Sequence, residues 1–169
     1  MAKEDRFAVI RYLVDKLRDV GKTKMQKLIY FLQYAFNVPL DYVFRMHYFG
    51  PYSEELDDDL IDMKLHDYID ITPNPTGYGY HIRPSSEVVD SMDNTIKQYA
   101  QQLNNYLDKL GSYDIQTLER LGTLHFVKHI EDKASKDEII AKVVRLKPQF
   151  GKPEIGNSYE ELENLLKAQ

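Results

Sequence analysis

The hydrophobic period of this chain changes repeatedly before residue 84, and the order of those changes restricts the fold more than any other feature. Residues 5–18, DRFAVIRYLVDKLR, place Phe7, Ile10, Val14 and Leu17 at helical spacing, with Leu13 beside them. Gly21 ends that helix. Thr23 is the expected N-cap of a second helix, KMQKLIYFLQYAF, whose Met25, Leu28, Ile29, Leu32 and Phe36 form one apolar face. Asn37 and Pro39 stop it. The aromatic-rich DYVFRMHYFGPYS then favours a strand, broken at Gly50-Pro51. Ser53 caps a helix over 54–65, with Glu54 and Glu55 in its first turn and Leu56, Leu60, Ile61 and Met63 turned inward. Tyr68–Thr72 and Tyr78–Arg83 flank a PNPTG turn and predict a hairpin.

Helix, helix, strand, helix, hairpin is the order of a winged helix. The expected fold is mainly α (α+β): a winged-helix-like part over residues 1–84, then a helical bundle over 85–169 packed on it. Ser85 or Ser86 is expected to cap one long helix reaching Leu110. On it Val89, Met92, Ile96, Tyr99, Leu103, Tyr106 and Leu110 form a heptad seam. That seam predicts packing against the chain's own later helices, or a homodimer through helix 86–110. Asp114 caps the next helix, IQTLERLGTLHFVKHI. Ser135 with Glu138 is a capping box for KDEIIAKVVRLK, closed by Pro148. PQFGKPEIGN reads as a connector, and Ser158 with Glu161 as a second box opening the last helix.

Composition narrows the chemistry. With no cysteine in 169 residues, disulfides, thiolate metal sites and thiol nucleophiles are excluded. No apolar run approaches the roughly 20 residues of a membrane span, so a soluble cytoplasmic protein is expected. The formal charge of −5 is uneven. Residues 1–50 carry nine Lys/Arg against five Asp/Glu; residues 51–72 carry one Lys against eight Asp/Glu.

Candidate chemistry is sparse. His125 and His129 stand four apart, as a metal pair would, but lack the Glu of H-E-x-x-H. Structural or surface histidines are the better reading. Asp57, Asp58, Asp59 and Asp62 diverge around a helix, which favours a solvated acidic face or a docking surface for a basic partner. No phosphate-binding or nucleophile-elbow motif occurs, so no catalytic residue, metal or cofactor is assigned and an enzyme is not expected. In a winged helix the segment 54–65 would read DNA, yet it is acidic and phosphates would repel it. Lys22, Lys24, Lys27 and Arg83 leave a DNA-binding regulator as the alternative, and a metal-dependent enzyme as the third reading. The first is a protein-interaction module, because Arg45, Tyr48, Phe49 and Tyr52 are residue types that anchor interfaces.

The segments KTKMQKLIYFLQ (22–33) and HYFGPYSEELDDDL (47–60) resemble the uncharacterised YwgA-like proteins of bacteria and archaea. More distantly they resemble the Panacea domain, also found in SocA-like proteolytic-adaptor antitoxins. The shared residues are Lys27, Leu28, Ile29, Tyr30 and Phe31, then Gly50, Pro51, Tyr52 and Ser53. TLHFVKHI (123–130) and LKPQF near 146 are also similar to the YwgA-like pattern. The resemblance implies a mostly helical fold with a small winged element and no established catalytic residue. It implies regulatory or antitoxin-linked roles only through the Panacea likeness. Core contacts explain Leu28 and Leu32, and a shared aromatic cluster would explain Tyr30, Tyr48 and Tyr52. The functional alternative is a recognition surface of Lys24, Lys27, Tyr30, Arg45, Tyr48, Tyr52 and Arg83.

Overall fold

A computed structural model describes residues 1–90 and 92–167. Among these residues the fold is mainly helical with two small antiparallel sheets, an α+β arrangement. No described helix is long and apolar enough to cross a membrane. The elements run α1 (Lys3–Leu17), β1 (Val20–Gly21), α2 (Lys22–Tyr34), β2 (Arg45–His47), β3 (Gly50–Tyr52), α3 (Glu54–Leu65), β4 (Ile69–Pro73) and β5 (Tyr80–Pro84). Then follow α4 (Met92–Gln98), α5 (Ala100–Leu110), α6 (Ile115–Ile130), α7 (Lys136–Leu146) and α8 (Lys152–Lys167).

The expected hairpin forms, with Ile71 opposite Ile82. The strand β1, not foreseen, joins its far side, giving the order β1-β5-β4. Asp19 ties this sheet to the end of α1: it accepts from Arg83 Nε at 2.9 Å and pairs with His81 Nδ1 at 2.5 Å. Arg11 stitches the start of the helical half to the first. Its guanidinium donates to the carbonyls of Tyr68 (2.7 Å), Ser85 (3.1 Å) and Glu87.

Several local expectations are corrected. The second helix starts at Lys22 on an uncapped Gly21, so Thr23 is inside its first turn. The aromatic strand is two strands. Tyr48 and Phe49 make the turn, and Gly50-Pro51-Tyr52 returns as β3. Gly50 has φ +92°, the left-handed conformation that ends such a turn and that glycine adopts without steric cost. Ser85 and Ser86 do not cap a helix; their hydroxyls bond Asp67. The long helix is interrupted at Tyr99, between α4 and α5. Its seam is taken up inside the chain, chiefly by the earlier helices and not by the later ones as expected: α4 packs on α1, and α5 on α2. Val89, Leu103, Tyr106 and Leu110 are buried there. Finally, Ser158 does not open the last helix. α8 begins at Lys152, with Pro153 in its first turn, where proline is tolerated. Ser158 is buried within it and accepts from Arg120 Nε at 3.1 Å.

The acidic helix is also oriented differently. Ile61 is exposed and Asp59 takes a core position, 2% exposed. The stripe Leu56, Asp59, Leu60, Met63 keeps helical spacing with a carboxylate in it. Tyr42 donates its hydroxyl to Asp59 at 2.7 Å, and Arg6 Nε lies 3.0 Å away. Glu55 pairs with Arg6, Asp62 with Lys3 and Asp57 with Lys22. Much of the acidic block is thus neutralised by the basic first third of the same chain.

Gly50 offers a direct test. A Cβ there would sit 3.3 Å from Thr123 Oγ1 and 3.4 Å from Lys27 Cε, on a backbone that L-residues avoid. Gly50→Ala is expected to destabilise the fold by roughly 1–3 kcal/mol in urea unfolding. A loss below about 0.5 kcal/mol would show that the turn relaxes freely.

Candidate functional site

Three polar side chains on α2 point into the protein and hold residues 42–53. Gln26 accepts from Ser53 N and donates from Nε2 to Ser53 O, both at 2.9 Å. Gln33, two turns along, does the same to Tyr42, at 2.8 and 2.9 Å. Between them Lys27 donates to the Pro51 carbonyl at 2.8 Å. Each glutamine gives a backbone segment the donor and acceptor that a neighbouring strand would supply.

Lys27 belongs to a buried charge cluster that no local sequence signal announces. Lys147, from the end of α7, pairs with Glu119 of α6 at 2.8 Å and donates to the Tyr48 carbonyl. Gln149 Nε2 lies 3.3 Å from Glu119 Oε1. Burial, opposed by Glu119 and reinforced by Lys147, pushes the Lys27 ammonium down to about 8. Gly122 lets α6 approach the hairpin, since a Cβ there would meet Pro51 Cδ at 3.3 Å. The Lys-Leu-Ile-Tyr-Phe, Gly-Pro and Leu-Lys-Pro-Gln-Phe segments therefore converge with α6 on one clamp around the β2–β3 hairpin.

A cleft of about 430 Å³ opens on the solvent side of this clamp. It lies between the starts of α2 and α3 and the tips of the two hairpins. Lys22, His47, Phe49, Tyr52, Asp57 and Tyr80 line it. A second recess, of about 390 Å³, shares His47, Tyr52 and Glu54 and continues past Arg45 to Val43. The ring centroids of His47 and Tyr52 are 5.2 Å apart, so this pair forms the ridge between the two. Tyr48 is 77% exposed and Phe49 52% exposed at the hairpin tip. Tyr78 and Tyr80 are exposed on the other hairpin.

The expected recognition residues do not form one surface. Arg45, Tyr48 and Tyr52 border the cleft and its continuation or the adjoining tip. Lys27 is only 1% exposed and acts from below. Tyr30 is buried among Phe31, Tyr34, Phe44 and His125, so it shares no cluster with Tyr48 or Tyr52. Lys24 is half-buried, with Nζ 3.3 Å from the Gly111 carbonyl. Arg83 is held by Asp19. Sequence reasoning missed Gln26, Gln33, Glu119 and Lys147. Gln26 and Gln33 lie within the KTKMQKLIYFLQ resemblance and Lys147 within LKPQF; Glu119 had no such signal.

His125 is buried and meets the Tyr30 hydroxyl at 2.7 Å through Nδ1. Burial, with help from His129 and Lys128, lowers its pKa to about 4. Burial raises that of Tyr30. The hydroxyl therefore keeps its proton and can donate it to Nδ1 of a neutral ring. His129 stacks parallel to His125, with 6.3 Å between ring centroids. No group of three or more His, Asp or Glu able to hold a metal occurs among the described residues.

No protein-family model matches the chain. Among curated proteins, the chain is similar to the "Uncharacterized protein YwgA" of Bacillus subtilis (strain 168), with 25% identity over 154 residues. That alignment covers 86% of this chain and 87% of the relative. The YwgA-like resemblance thus extends well beyond the short segments that suggested it.

Two measurements test this site. Glu119→Leu leaves Lys27 and Lys147 buried together without their carboxylate. It is expected to cost roughly 3–5 kcal/mol in urea unfolding. A near-neutral result would show that solvent reaches the cluster. Below pH 6.5 an unfolded His125 takes up a proton that the folded ring resists. Stability should therefore fall as pH drops from 6.5 towards about 4. His125→Gln should flatten that part of the pH–stability curve, and an unchanged slope would assign it to other groups.

Proposed function

We propose that this chain is a winged-helix-like protein-interaction module, which recognises its partner through the cleft between the two hairpins. The observation that carries this reading is the contrast between the tips and their base. Exposed Phe49 and Tyr80 line the cleft and Tyr48 is exposed at the adjoining hairpin tip, while Gln26, Lys27 and Lys147 hold the backbone beneath the first hairpin. Aromatic side chains on a rigid support bury large areas at small entropic cost, as interface anchors do. The succession α1, β1, α2, α3, β4, β5, with the β2–β3 hairpin inserted between α2 and α3, and the sheet order β1-β5-β4 support the winged-helix-like description. A regulatory role, of the kind implied by the distant Panacea resemblance, is compatible with a module that presents a recognition surface.

Charge placement weighs against the DNA-binding alternative. Three cations near the cleft are committed internally, Lys22 to Asp57, Lys27 to Pro51 and Arg83 to Asp19, while Arg45 on the adjoining recess is not. Little positive charge is left for phosphates, which dominate affinity for nucleic acid. The metal-enzyme reading loses its leading pair, because His125 is buried against Tyr30.

A comparison of two baits tests the proposal. The tagged chain and a Tyr48→Ser/Phe49→Ser/Tyr80→Ser variant are used to capture proteins from host lysate, with quantification by mass spectrometry. A partner retained by the first is expected to be lost by the second, since each anchor removed weakens binding by about tenfold or more. Equal capture by both would place the interface elsewhere. Random-sequence duplex DNA should show no gel shift even near about 50 mM salt. A shift there that weakens steeply with salt would favour the regulator.

A further inference from the structure

The sheet edges of this protein are protected unequally. An edge strand exposes N–H and C=O groups that another chain can pair with. β4 is the edge of its sheet, and Lys64 Nζ donates to its Ile71 carbonyl at 3.0 Å. β3 is the inner edge of the small sheet, and there Lys27 and Gln26 occupy Pro51 and Ser53. The outer edge of β2 is treated differently. Its Met46 lies opposite Pro51. Proline has no N–H, and this carbonyl turns away to Lys27, so the pair is a non-hydrogen-bonded one. The N–H and C=O of Met46 must therefore point outward. No hydrogen bond from any described residue reaches them.

We propose that this outer edge of β2 docks an extended peptide of a partner protein as a third strand. The proposal rests on the protein-interaction reading above and names the kind of segment recognised. The recess beside the edge, lined by Val43, Met46 and Tyr52, offers apolar surface for alternate side chains of an added strand. Charge specifies the rest. Arg45 lies on that recess and forms no ion pair among the described residues. Glu55 across the recess is already neutralised by Arg6. Glu54, at the start of α3, lines the same recess and forms no ion pair among the described residues. The segment that fits has an acidic residue beside Arg45, apolar residues at alternate positions, and no second carboxylate at the Glu54 end.

A phage-displayed library of random dodecapeptides, panned on the full chain, tests the assignment. Selected peptides are then synthesised with a fluorescent label for anisotropy titration. Met46→Pro removes the outward N–H without removing a bond between β2 and β3, and Met46→Leu is its control. Peptides selected on the wild type should lose about tenfold or more in affinity on Met46→Pro and keep it on Met46→Leu. Arg45→Glu should exchange the acidic preference for a basic one. That arm decides alone if Met46→Pro fails to fold, as judged by thermal melting.

Enriched peptides that bind Met46→Pro as well as the wild type would overturn the edge assignment. If the same peptides are lost on the Tyr48→Ser/Phe49→Ser/Tyr80→Ser variant, the broader interaction reading survives without it. No enrichment over bare beads would also overturn the assignment. A dimer in light scattering that Met46→Pro dissolves would give the edge to a second copy, against the proposal.

Discussion

The geometry of this protein depends on polar atoms that α2 sends into its interior. Gln26 and Gln33 each satisfy both backbone groups of one residue, Ser53 and Tyr42. A spacing of seven residues along a helix is about 10.5 Å. The helix thereby fixes the two ends of a segment that has little regular structure of its own. Buried amide groups left without such partners would cost about 1–3 kcal/mol each. The irregular stretch from 35 to 44 and the two three-residue strands are tolerable because these side chains replace a missing sheet.

The charge cluster extends the same arrangement into the second half of the chain. Lys27 comes from α2, Glu119 from α6 and Lys147 from the end of α7. The two ammonium groups reach carbonyls at and near one turn, Lys27 that of Pro51 and Lys147 that of Tyr48, and Glu119 pairs with Lys147. A buried ion pair is weak evidence for stability in itself, because desolvation opposes the attraction. Its clearer effect is geometric. It admits one placement of the hairpin relative to α6, and Gly122 and Gly50 permit the close approach that this placement needs.

The sequence made the helices legible because their apolar residues repeat at one period. Ser53, Asp114 and Ser135 mark three helix starts correctly, each with its side chain accepting from the backbone as expected. Ser158 and Glu161 imitate the same signature inside α8, where Arg120 uses the serine instead. A cap signature is local, whereas burial against α6 is not. The heptad seam was readable as apolar spacing, but its interruption at Tyr99 follows from packing on two different helices, α1 and α2. Asp59 shows the same limit. The acidic run looked solvated until Tyr42 and Arg6, distant in sequence, gave one of its members a buried place. Of the candidate site, the exposed aromatic tip was visible as residue types; the clamp beneath it was not, because glutamines and lysines in a helix carry no sign of which way they face.

The separation of clamp and tip has an evolutionary consequence. Replacing Tyr48 or Phe49 leaves every clasp from α2 intact, since those bonds go to Tyr42, Pro51 and Ser53. Of Lys147, only its contact over the Tyr48 ring would be lost, while the carbonyl it holds is backbone. The turn can thus be rewritten by single codon changes while the scaffold is inherited unaltered. Divergence among descendants would concentrate at this two-residue tip, and the three polar residues of α2 would be purged of variation, so one scaffold could carry tips of different shape.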